Sequence, residues 1–118
     1  MSGIERFETG ARMSKIVRHG GLVYLCGQTA KGAPADDVAQ QTHETLSRID
    51  GLLAQAGSDR SHLLSVLIHL RRMEDFAAMN RVWEAWVPAG SAPARTTVQA
   101  ALASPELLVE MTVVAAVA

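Results

Sequence analysis

The stretch LLSVLIHLR, from Leu63 to Arg71, constrains this chain more than any other, because both of its alternating sets of positions are apolar. In an extended strand Leu64, Val66, Ile68 and Leu70 fall on one side and Leu63, Ser65, Leu67 and His69 on the other. A strand of that kind needs cover on both faces. Two amphipathic helices can supply one of them. Val38, Thr42, Thr45, Leu46, Ile49, Leu52, Leu53 and Ala56 recur at helical spacing, with Asp36 or Asp37 as N-cap and Gly57 as the left-handed residue that stops the helix, which predicts a helix over 37–56. Phe76, Met79, Trp83 and Trp86 make the stripe of a second helix over 73–87, ended by Pro88. Both helices are needed to cover one face of a small sheet, so the other face predicts a subunit interface.

The remaining strands follow from β-branched runs and punctuation. A short one is expected at Ile4–Phe7. Lys15–Arg18 and Leu22–Cys26 read as a hairpin around Gly20 and Gly21, and Arg95–Gln99 and Leu107–Val114 read as the last two strands. The order is β-β-β-α-β-α-β-β, an α+β chain with a mixed sheet and both helices on one face. With 118 residues and no linker, repeat or low-complexity segment, residues 1–118 are read as one domain.

Composition narrows the function classes. Eleven Lys and Arg against twelve Asp and Glu leave no field to recruit nucleic acid or an anionic membrane surface. One cysteine, Cys26, excludes an internal disulfide, and the dispersed His19, His43, His62 and His69 lack metal-ligand spacing, so no structural metal is expected. No apolar run approaches the roughly 20 residues that span a bilayer, and MSGIERFETG has no signal core, so a soluble cytoplasmic protein is expected.

Two charges stand inside strand patterns. Arg95 opens RTTVQ, and Glu110 interrupts LLVEMTVV. A carboxylate among apolar neighbours is costly unless paired or hydrated, so Glu110 is on a wet face, in an ion pair between subunits, or at a site. Gly27, directly after the strand ending at Cys26, suggests a bulge or a close approach of the backbone to something, such as a ligand. Cys26 invites a nucleophile reading, but with no histidine placed beside it in sequence it reads better as a small buried hydrophobe, and the two tryptophans read as core.

These residues carry a resemblance. Ser14, Cys26-Gly27-Gln28, Gly57, Asp75-Phe76-Ala77-Ala78-Met79-Asn80, and Ala92-Pro93-Ala94-Arg95 followed fifteen residues later by Glu110 are similar to the motifs of the RidA (YjgF-type) family of reactive imine and enamine deaminases. The likeness runs over nearly the whole chain. It implies a chorismate-mutase-like fold, a homotrimer with sheets inward and helices outward, and a cofactor-free hydrolysis of small 2-imino acids to 2-oxo acids and ammonia. It further implies that Arg95 anchors the substrate carboxylate through a planar fork of hydrogen bonds, which a lysine could not reproduce, and that Glu110 orients water and moves protons. Backbone donors near Gly27 and Thr97 would hold the carboxylate or the water. Met13 stands where many relatives carry a tyrosine against the substrate, and Cys26 where they carry a serine, both expected to line the substrate. The implied partners are a small 2-imino or 2-oxo acid and further copies of the chain, with the site between subunits, and neither nucleic acid nor membrane. The alternative is a non-catalytic or regulatory member of the same fold that binds a small carboxylate.

Overall fold

The computed structural model describes residues 3–118. Six strands and two helices follow one another as expected: β1 (Glu5–Thr9), β2 (Ser14–His19), β3 (Leu22–Leu25), α1 (Val38–Gln55), β4 (Leu63–Leu70), α2 (Phe76–Trp86), β5 (Ala94–Gln99) and β6 (Val109–Ala116). The strands form one sheet in the order β1-β2-β3-β6-β4-β5. β4 and β5 run parallel, joined by the α2 crossover, and every other neighbouring pair is antiparallel. The last strand in sequence is thus inserted between β3 and β4, and β5 is left at an edge.

Local signals explain the boundaries. Asp37 caps α1 by accepting from the Gln40 N–H at 2.8 Å, and Gly57 takes a left-handed φ of 79° after its end. Gly20 and Gly21 have φ of 59° and 80°, the two left-handed positions that a two-residue turn between His19 and Leu22 requires. The segment expected to open the second helix, Met73–Asp75, is instead a turn of 3-10 helix ahead of α2. The last strand starts two residues later than its hydrophobic run, because Leu107 and Leu108 are held in the preceding loop. Gln41, buried on α1, donates to the Glu106 carbonyl (2.8 Å) and accepts from the Leu108 N–H (2.8 Å).

The core lies between the helices and one face of the sheet, with Ile16, Ile49, Leu53, Ile68, Met79 and Met111 fully enclosed. β6 alternates cleanly: Val109, Met111, Val113 and Ala115 are buried there, while Glu110, Thr112, Val114 and Ala116 face the other way. β4 departs from the simple alternation at its start. Leu63 opposes Ala115 and Ser65 opposes Val114, so Leu64 is an extra, bulged residue. Leu63 is consequently in the core and Leu64 exposed, the reverse of what strict alternation predicts, whereas Val66, Ile68 and Leu70 point inward as expected.

Among the described residues no helix covers the second face of the sheet. It carries Tyr24, Leu67 and Val98, exposed at 43%, 38% and 39%.

Candidate functional site

Glu110 lies on that uncovered face, and its surroundings are set by the strands on either side of β6. On one side the chain leaving β3 runs beside β6, with Gln28 N–H donating to the Met111 carbonyl (2.9 Å) and Met111 N–H to the Gln28 carbonyl (3.0 Å). This places Gly27 under the Glu110 side chain. A Cβ on residue 27 would come within 3.0 Å of the Glu110 Cδ and 3.3 Å of its Cγ, and would overlap Oε2. The close approach expected at Gly27 is therefore to a carboxylate of its own chain. Cys26, half-buried, has its Sγ accepting from the Gln28 Nε2 at 3.3 Å. On the other side of Glu110, its register partner across the β4–β6 ladder is His69. The His69 Nδ1 is buried and has no hydrogen-bond partner.

Arg95 is positioned by a different part of the fold. It pairs in register with Val66, and Thr97 with Ile68, both core-facing residues, so the side chains of Arg95 and Thr97 point to the helix side. The guanidinium carbon sits 5.4 Å from the Trp83 ring centroid and 5.7 Å from that of Phe76, a cation held over two aromatic faces of α2. Burial pushes the Arg95 pKa down, partly opposed by the Glu84 carboxylate, yet an arginine so placed keeps its charge. The Thr97 Oγ1 and, on α2, the Asn80 Oδ1 are both buried without a hydrogen-bond partner. Phe76, Asn80 and Trp83 recur at i, i+4 and i+7 of one helix stripe. Sequence reasoning assigned the aromatics to the core alone and gave Asn80 no role. The spacing that could have pointed to them is present, but the strand facing that stripe is not readable from it.

Arg95 and Glu110 do not meet within one chain. They are on opposite faces of the sheet, and two strand spacings with three residues of strand rise put their Cα atoms roughly 14 Å apart. Among the described residues the salt bridges are Lys15–Glu8, Arg18–Glu5, Arg48–Glu44, Arg60–Asp50, His62–Asp59, and Arg72 with Glu74 and Asp75, and none involves Arg95 or Glu110. Met13, between β1 and β2, is 57% exposed. Among the described residues no three His, Cys, Asp or Glu side chains converge as a ligand set for a metal ion.

Residues 3–117 match the family described as Endoribonuclease L-PSP, almost the full length of the chain. The chain belongs to the RidA/YjgF family. It is 45% identical over 114 residues to the RutC family protein YoaB of Escherichia coli, covering 97% of this chain and 98% of that one. It is 39% identical to a RutC family protein of Haemophilus influenzae over 95% of this chain and 97% of that one. Among solved structures, a member of the YjgF protein family from Neisseria meningitidis superposes with a TM-score of 0.93 at 44% identity, over 97% of this chain and 94% of that one. The sheet order, the α2 crossover and the two helices on one face are thus those of a RidA-family fold.

Proposed function

We propose that this RidA-family protein hydrolyses small reactive 2-imino acids, and the enamines in equilibrium with them, to 2-oxo acids and ammonia, at sites completed between copies of the chain in a homotrimer. One observation carries the reading: among the described residues neither Arg95 nor Glu110 forms a salt bridge, and the two sit on opposite faces of the sheet. A ligand that uses both must draw them from two chains. The uncovered face bearing Tyr24, Leu67 and Val98 supports such packing, since apolar side chains in an open row gain from being buried against a neighbour.

The chemistry divides between the two residues. Arg95 binds the substrate carboxylate through parallel N–H donors. Its guanidinium is already partly stripped of water and oriented by Trp83 and Phe76, so little ordering remains for the ligand to impose. Glu110 orients a water against the C=N carbon and takes its proton as the C–O bond forms. General acid–base help of this kind is worth about 10²–10⁴ in rate. Backbone N–H groups near Gly27 and Thr97 serve the water or the carboxylate, and Met13 and Cys26 line the pocket without supplying a hydroxyl. Hydrolysis of an imine moves protons and water only, so it calls for no redox group or electron sink. The ribonuclease in the family's description has no electrostatic counterpart in this chain, where 12 acidic residues offset 11 basic ones.

The test couples a pyridoxal-phosphate dehydratase acting on L-threonine or L-serine to excess semicarbazide, which traps free imine. Wild-type protein is expected to lower the trapped fraction and Glu110→Gln is not. No effect of wild type on any amino-acid-derived imine would overturn the deaminase reading and leave the carboxylate-binding alternative.

A further inference from the structure

Glu110 has a neighbour that the reaction as described does not use. His69 is its register partner on β4, on the same uncovered face, and side chains so paired have Cβ atoms about 4.5–5.5 Å apart. The imidazole is half-buried with its Nδ1 enclosed and unpartnered. A buried ring nitrogen with nothing to bond is costly, so its position asks for a partner beyond the described residues. The described residues supply none. The Glu110 carboxylate leans the other way, over Gly27, Val98 on β5 is aliphatic, and the guanidinium of Arg71, just past the end of β4, is committed to the carbonyls of Leu107 (2.7 Å) and Ser104 (2.7 Å). What remains is a carboxylate and an imidazole paired in register on the uncovered face.

We infer that His69 is the second proton-carrying residue of this site, serving the nitrogen while Glu110 serves the water. The inference rests on the imine-hydrolysis reading. Glu110 takes one proton from water as its oxygen bonds to the imine carbon. The C=N π pair passes to nitrogen, which takes a proton from the His69 imidazolium, giving a carbinolamine. The protonated Glu110 then delivers its proton to that nitrogen. As the C–N bond breaks, the hydroxyl proton returns to His69 and the oxygen lone pair closes the C=O bond. Of the two protons that ammonia gains, one comes from water through Glu110 and the other from His69, which the hydroxyl proton replaces, so both side chains return to their starting states.

The experiment measures steady-state hydrolysis of the dehydratase-generated imine by wild type, His69→Phe, His69→Ala and Glu110→Gln, with subunit assembly followed by sedimentation. His69→Phe is expected to lower kcat by about 10²-fold with KM little changed, in a protein that assembles as wild type does. His69→Ala is expected to regain activity when imidazole is added, which packing alone could not produce. If wild type turns over and Glu110→Gln does not, while His69→Phe keeps full kcat or His69→Ala ignores imidazole, His69 is an interface residue and this inference falls by itself. If wild type is inactive on every imine, the deaminase reading fails first.

Discussion

The Glu110 side chain lies across Gly27, so that residue 27 has no room for a Cβ while the carboxylate stays where it is. Gly27 is not in the left-handed region, so space rather than backbone conformation requires the glycine. Gly27→Ala is expected to cost about 1–3 kcal/mol of stability through overpacking and to displace Glu110, lowering turnover. In a Glu110→Ala background the same change should cost little stability. Thermal melts of the four variants in a double-mutant cycle measure the coupling, and an equal cost in both backgrounds would contradict the contact.

Arg95 and Glu110 on opposite faces make a site shared by chains testable by mixing. Arg95→Ala and Glu110→Gln are each expected to be inactive alone. Unfolded and reassembled together in equal amounts, they should recover activity at about one site in four, the chance that an intact Arg95 faces an intact Glu110 from a neighbour. A site within one chain recovers nothing.

Arg95→Lys keeps a positive charge but loses the fork. KM for the imine should rise at least about tenfold, the worth of one charge-assisted hydrogen bond of ~1.5 kcal/mol or more, with a smaller effect on kcat. An unchanged KM would move the carboxylate anchor elsewhere.

Leu67 stands near the middle of the uncovered face, between Thr112 of β6 and Thr96 of β5. Leu67→Glu should fold, because the position is exposed in the single chain, yet sediment as a monomer, because the charge would be buried without a partner in an assembly. A stable trimer of this variant would place the interface on another surface.

Asp59 gives a prediction in pH. It caps the turn at Arg60–His62, accepting from the Ser61 N–H at 2.9 Å and bonding the His62 Nδ1 at 2.7 Å. The Ser61 hydroxyl, followed by His62, holds its carboxyl at about 2, below the ordinary aspartate value near 3.8. A depressed folded pKa contributes stability that is full above the unfolded value and fades as pH falls through the folded one. Wild type should therefore lose melting temperature between about pH 4 and pH 2 from this group, and Asp59→Asn should flatten that part of the profile. Because the group is exposed the effect is small, and it should weaken in high salt.

The elements of this chain are readable in its residues because their signals are local. Asp37 and Gly57 bound α1 through the capping of their own helix, Gly20 and Gly21 shape their own turn, and the alternation of Val109, Met111, Val113 and Ala115 is a property of one strand. The two-faced β4 likewise announces an uncovered sheet face, and Arg95 and Glu110 stand out because charges are expensive where their neighbours are apolar. Tertiary structure decided how these pieces are registered. The bulge at Leu64 reverses the facing of Leu63, since the extra residue exists only relative to β6. The pairing of Arg95 with Val66 and of Glu110 with His69 turns the two charges to opposite faces, and the path of Cys26-Gly27-Gln28 beside β6 puts the carboxylate over Gly27. Register is a relation between strands distant in sequence, and a shift of one residue turns every side chain over. Periodicity within a strand therefore shows that it has two faces, and only its neighbours determine what each face meets.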